Sequence, residues 1–323
     1  RGLGDVYKRQ VEEILIDDGR AVGVRLRDDA TVGAKKIYAD RAVISAAHIK
    51  PTFLDMIGPQ HLDAGFLQRI KDLSLKGGSL YMTHYLTREQ LRYKPQYQIK
   101  DPSEYGAFLG GIFPTDSREN YFENVRIVLG EQKNLDIPPE RAMWGMVAGE
   151  LYDPTNPQCT RPGQHINGPL WMMVPTPQYN PEGMDAMDKD KRYWDEYMRG
   201  ALASVVENLD DDNLIRMFTD SPYEQEFRNT GMLGGSWYGI RCDRDQWWNE
   251  RPLPEMARYR VPDIEGLYLA HQSGAHPGGL CLMAVGYNLM HILIEDGIAE
   301  PGDWWYASPW YIPEDGKIPA NRS

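Results

Sequence analysis

The sequence predicts an α/β fold, and three observations predict it. Two short runs, "RAVISAA" (Arg41 to Ala47) and "GLYLA" (Gly266 to Ala270), are nearly continuous in apolar residues, as strands buried on both faces of a sheet are. The second leads through a glycine-rich turn into "MAVGYNLMHILIEDG", a helix that Gly297 ends. Between the two runs lie long proline-rich loops around short strands, followed by an amphipathic segment, which suggests a substrate-enclosing domain more than a linker.

The elements follow in order. "VEEILI" and "AVGVRLR" flank Asp17-Asp18-Gly19-Arg20, and an Asp-Gly pair between such runs signals a hairpin. "TVGAKKI" supplies a candidate third strand. After "RAVISAA", Pro51 suits the first turn of a short helix, "PTFLDMI", stopping at Gly58. "SLYMTHYLT" (Ser79 to Thr87) reads as a strand with Leu80, Met82, His84 and Leu86 on one face, His84 being read as structural rather than as a ligand. From about Asn134 to Pro181 helical periodicity disappears, with "PLWMMVPTP" a strand inside that region. Asp185 to Leu209 is a helix: Trp194, Tyr197, Met198, Ala201, Val205 and Leu209 form a stripe at helical spacing, read as core. Ser221-Pro222-Tyr223-Glu224 is a capping box that starts another.

Composition excludes several function classes. The chain has 323 residues and a formal charge of −12, which repels phosphate backbones and anionic lipid headgroups, so no nucleic-acid partner is expected. No apolar run reaches the roughly 20 residues that span a bilayer, so no transmembrane segment is expected. The three cysteines, Cys159, Cys242 and Cys281, are far apart and read as free buried thiols; neither a disulfide framework nor a metal site follows. The first ten residues, "RGLGDVYKRQ", back-translate to a string like a transposon-end adapter from sequencing libraries. Natural sequence is therefore expected to begin at Val11, with the true N-terminus missing.

The chemistry concentrates in "HQSGAHPGGLCL" (His271 to Leu282). A strand end, a glycine-rich turn and a helix N-terminus present backbone N–H groups to a ligand, and Gly278 and Gly279 clear side chains from its approach. A purely structural turn is the alternative on local grounds. No H-E-x-x-H, G-x-S-x-G, P-loop or paired-carboxylate motif competes.

"VPDIEGLYLAHQSGAHPGG" followed by "GYN" resembles the C-terminal flavin-binding segment of the phytoene desaturase-like FAD-dependent oxidoreductases, within the amine-oxidase superfamily. "GMLGGSWYGIRCDRDQWWNERPLP" resembles the segment preceding it, with Gly234-Gly235, Asp245-Gln246 and Arg251-Pro252 in register. "VEEILIDDGRAVGVRL…RAVISAAHIKPTFLDMIG" resembles the meander and strand that lead out of the FAD domain. The middle, from about Gly77 to Asp220, matches loosely.

The resemblance implies a partial FAD-binding Rossmann-like domain (residues 11–60 and 223–300) interrupted by a mixed α+β substrate domain (61–222). Residues 301–323 form an aromatic tail, read as packing back on the protein. The family's G-x-G-x-x-G fingerprint would lie upstream of Val11. The implied cofactor is FAD, held by Ser273, Gly274, Ala275, His276, Pro277, Gly278, Gly279, Met283, Ala284, Val285 and Asn288, with His276 orienting the turn.

The implied activity is oxidation or desaturation of a small apolar organic substrate by hydride transfer to flavin. A flavin-dependent amine oxidase or isomerase of the same fold and a non-catalytic FAD-binding relative are the alternatives. The implied setting is cytoplasmic or peripherally membrane-associated, and the oligomeric state is left open. Four departures stand out. His271 occupies a usual glycine position in a turn one residue longer, Leu280 and Met283 replace glycines, and Tyr238 replaces a common histidine.

Overall fold

The computed structural model describes residues 10–30, 33–77, 79–97, 112–113, 117–133, 137–147, 163–174, 176–236, 238–274 and 282–306. The chain is a mixed α/β protein with small sheets. It divides into two compact units: residues up to Ser74 together with those from Tyr238 onward, and Leu75–Trp237. The sequence reading draws these boundaries near residues 60 and 223; the helix Pro222–Arg228 falls in the second unit. Among the described residues no helix is long and apolar enough to cross a membrane.

In chain order the strands are β1 (Val11–Asp17), β2 (Arg20–Leu26), β3 (Lys36–Tyr38), β4 (Val43–Ser45), β5 (Ser79–Thr87), β6 (Ile112–Phe113), β7 (Trp144–Val147), β8 (His165–Val174), β9 (Leu214–Asp220) and β10 (Leu267–Leu269).

In the first unit β1 and β2 form the expected hairpin, with Asp17 opposite Arg20. Asp18 and Gly19 have φ of 45° and 75°, the two-residue turn whose twist suits paired strands. The third strand is shorter and later than "TVGAKKI" suggests. Lys35 Nζ reaches back to the carbonyls of Asp28 (2.7 Å) and Ala30 (2.6 Å), and pairing begins at Lys36; Thr31 and Val32 lie outside the described residues.

β4 pairs in parallel with β10, Val43 opposite Leu267 and Ser45 opposite Leu269. All three residues of β10 are buried, as expected. β4 corrects its expectation: Val43 and Ser45 are buried but Ile44 is 46% exposed, so only one face of this strand is covered. The short helix after it also begins earlier than Pro51. His48 accepts the amide of Lys50 at 3.2 Å, and this cap starts the helix at Ile49. The turn then widens, Ile57 N bonding Thr52 O at 3.1 Å, before Gly58.

The helix Leu282–Glu295 buries Val285, Leu289, Ile292 and Leu293 against Tyr259 and Tyr268. It stops where Gly297 takes a φ of 68° and Ile298 N bonds back to Leu293 O at 2.8 Å. Trp305 then folds back onto the helix, stacked on Tyr287 with centroids 5.2 Å apart and edge-on to His291 at 4.8 Å. The expected self-packing of the tail is met at Trp305. Trp304 and Tyr306 stay exposed, and Trp310 and Tyr311 lie outside the described residues.

The second unit holds a five-stranded sheet in the order β6-β7-β8-β5-β9, antiparallel throughout. β5 spans the expected residues, and "PLWMMV" lies within β8. Tyr81, Thr83, Tyr85 and Thr87 point into the core, whereas Met82, His84 and Leu86 are half-buried on the other face. His84 lies there beside the Phe218 ring at 6.3 Å.

The helix expected over Asp185–Leu209 is real but broken. It runs as Ala186–Lys189 and Lys191–Ala203, separated at Asp190, whose φ of −117° and ψ of 42° are not helical. Beyond Ala203 the chain makes a turn at Ser204–Val205 and then pairs in extended form at Val206: Lys94 N bonds Val205 O and Glu207 N bonds Arg92 O, each at 2.9 Å. β-Branched Val206 favours that extended state. Val205 and Leu209 are nonetheless buried, in one core with Trp194, Tyr197, Met198 and Ala201. The capping box forms as read, Ser221 Oγ accepting Glu224 N at 3.1 Å.

Candidate cofactor site

Ligands of open parallel sheets bind outside the carboxyl ends of the strands. Here both carboxyl ends of the β4–β10 pair run into histidine-bearing turns, Ser45 to His48 and Ala270 to Ser273. The turns are laced together. Ile49 N donates to Ser273 Oγ at 2.9 Å, and the His48 and His271 rings are 5.6 Å apart between centroids. His48 Nε2 bonds the Gly239 carbonyl at 2.9 Å, bringing in a third segment.

A buried cation fixes the arrangement. Arg251 has no exposed surface. Its Nε donates to Gln272 O at 2.8 Å, one terminal nitrogen donates to Gln246 O at 3.0 Å, and the other to Tyr238 O. Carbonyls and the Cys242 thiol are its partners, and no carboxylate neutralises it among the described residues. Burial pulls the guanidinium below its ordinary pKa, with Cys242 opposing. The positive charge therefore stands behind the turn at Gln272, where it favours an anionic ligand.

Burial also keeps the histidines neutral. His48 is pulled down to about 3, chiefly by desolvation and against its bond to Gly239 O. His271 is pulled down to about 4 by desolvation and by the charge of Arg251.

Two glycines permit the close approach. Gly274 packs so that a Cβ would lie 3.3 Å from Leu269 Cδ1 and 3.5 Å from Ile49 Cβ. Gly239 has a φ of 79°, and a Cβ there would fall 2.6 Å from Ser273 Cβ. Gly239→Ala combines left-handed strain with a clash on the turn. It should lower stability by about 2–4 kcal/mol, read as a drop in the urea midpoint. An unchanged midpoint would mean that the two segments separate without cost.

The sequence-predicted residues are placed as follows. Ser273 is fully buried at the centre of the lacing, and Gly274 is buried beside it. Ala275, His276, Pro277, Gly278, Gly279 and Leu280 lie outside the described residues, as does the side chain of Met283. Ala284 is half-buried in the first turn of the helix. Val285 packs into the apolar core, and the Asn288 side chain hydrogen-bonds Tyr259. His48, Arg251 and Gly239 were not among the predicted site residues. The "RAVISAAHIK" and "GMLGGSWYGIRCDRDQWWNERPLP" stretches, which contain all three, did carry the family resemblance.

No protein-family model matches the chain. Over 311 residues it is 25% identical to a Mus musculus protein named pyridine nucleotide-disulfide oxidoreductase domain-containing protein 2, covering 92% of this chain and 48% of that protein. It is 25% identical over 310 residues to one of the subunits of limonene dehydrogenase from Castellaniella defragrans, covering 94% of this chain and 53% of that one. The Rattus norvegicus protein with the same name as the mouse one is 26% identical over 308 residues, 91% of this chain and 48% of its own length. The chain thus spans about half the length of the curated relatives it matches. All three names denote oxidoreductases.

Proposed function

We propose that the chain is part of an FAD-dependent oxidoreductase that oxidises or desaturates a small apolar organic substrate, of the phytoene desaturase-like kind. The carrying observation is the parallel β4–β10 pair, whose carboxyl ends meet at a laced turn backed by a buried, unneutralised arginine. Distant likeness to proteins named as oxidoreductases supports the class, and the flavin-binding resemblance of the C-terminal segment supports the cofactor.

The donor set fits such a cofactor. His271 offers an imidazole, and the network around Arg251 holds no carboxylate to repel phosphate among the described residues. Ser273, Gly274 and the turn Ala275–Gly279, with Met283, Ala284, Val285 and Asn288 of the following helix, would hold the nucleotide. When bound, the flavin supplies the hydride acceptor. The chain's own residues fix the described end of the segment through the Ser273, His271 and Ile49 hydrogen bonds.

The test is expression of this chain with whatever coding sequence precedes it, purification, and anaerobic titration with apolar candidates, limonene among them. A yellow protein whose oxidised-flavin absorbance bleaches with one of them is expected. A folded protein that takes up no FAD would refute the proposal; one that binds FAD but reacts with nothing would favour a non-catalytic relative.

A further inference from the structure

The two imidazoles at the strand ends have tautomers set by their surroundings. His48 Nε2 faces the Gly239 carbonyl, which can only accept, so the proton sits on Nε2; Nδ1 accepts from Lys50 N. His271 is the reverse. Its Nδ1 accepts Ser273 N–H at 3.1 Å and lies 2.7 Å from Ser273 Oγ. That hydroxyl oxygen already receives Ile49 N–H at 2.9 Å, which leaves its own proton for the imidazole. Nδ1 of His271 is therefore bare, and the neutral ring carries its proton on Nε2.

That proton has no acceptor among the described residues. His48 cannot take it, since both of its nitrogens are engaged. The ring is half-buried, so solvent satisfies Nε2 only in part. A fixed chain of hydrogen bonds thus presents one N–H donor at His271, just past β10. Arg251 holds a positive charge against the neighbouring Gln272 carbonyl.

We propose that His271 contacts the cofactor directly, its Nε2–H donating to a phosphate oxygen of the flavin nucleotide. This rests on the flavin reading above. Phosphate is favoured over a neutral hydroxyl because the uncompensated charge of Arg251 lowers the energy of an anion at this position.

Two side chains separate the nitrogens. His271→Asn keeps an acceptor near the Nδ1 position for Ser273 but cannot reach the Nε2 position. His271→Gln places an amide N–H near Nε2 and loses the Nδ1 acceptor. Flavin-free full-length protein is titrated with FAD and with riboflavin by fluorescence quenching. His271→Asn should weaken FAD binding by about 10- to 100-fold and leave riboflavin binding unchanged, while His271→Gln stays within about 5-fold for FAD.

FAD affinity undiminished in His271→Asn would overturn the contact. Equal losses of FAD and riboflavin would overturn its assignment to phosphate. Should His271→Asn fail to fold, a large FAD loss in folded His271→Gln would refute the donor and retention would support it. A folded wild-type protein that binds no FAD refutes the flavin reading itself, and this contact with it.

Discussion

Arg251→Met should cost about 3–5 kcal/mol of stability, a large part of the margin of an ordinary domain. Methionine fills much of the volume and removes the cost of burying a charge. It donates nothing, however, to the carbonyls of Gln272, Gln246 and Tyr238, which the guanidinium ties together from separate stretches of chain. Losing a guanidinium bond to a buried carbonyl costs about 1–3 kcal/mol, and losing the bonds to all three carbonyls outweighs the desolvation regained. Arg251→Lys should recover only part of the loss, since an ammonium lacks the planar fork that reaches all three. The measurement is urea unfolding together with amide exchange at Ile49 and Gly274. A Met variant with the wild-type midpoint would mean that the carbonyls find other donors.

A comparably large effect is expected from acid. His48 titrates near 3 and His271 near 4 in the folded protein, against about 6.5 for unfolded histidine. The unfolded chain therefore takes up these protons first. Stability is fully present above pH 6.5 and falls as the pH drops towards 3, where folded His48 itself titrates. His48 has no exposed surface and should account for on the order of 3–5 kcal/mol of this loss. Half-buried His271 adds less. Every charged neighbour acting on His48, Lys50 and Arg251 included, pushes in the same direction, and only the Gly239 carbonyl opposes. His48→Asn keeps the acceptor for Lys50 and removes the titration, so its urea midpoint should fall less steeply below pH 6. Equal slopes for wild type and variant would remove His48 as the source.

Much of the fold was legible because much of it is local. The Asp18-Gly19 turn, the strand Ser79–Thr87, the cap at Ser221 and the stop at Gly297 are each written within a few residues. The helix over Asp185–Leu209 was misread at its end because the deciding partners, Arg92 and Lys94, lie far away in sequence. Ile44 was misread because a short apolar run does not say how many faces a sheet will cover.

The candidate site divides in the same way. The glycine-rich turn declares itself by composition, and Ser273 and Gly274 fall at its described end. The links that hold it do not declare themselves. Nothing near His48 says that it will cap a helix and bond Gly239, and nothing near Arg251 says that a full charge will be buried on carbonyls.

The order of folding follows from one strand contact in the second unit. Ile49 and Ser273 are 224 residues apart in sequence, and joining them from an open chain costs about 5 kcal/mol of loop entropy. The second unit is continuous in sequence, and its two ends are bridged where Ser79 pairs with Ser236. Once it has formed, that bridge works as a clip. Only the stretches from Ile49 to Ser79 and from Ser236 to Ser273 then remain to be closed, which lowers the entropy of closure by about 1 kcal/mol. The inserted unit therefore assists the assembly of its host, and a ribosome delivers it complete before Leu267 is made. β4 waits for β10, and the link between Ile49 and Ser273 closes only after both are made.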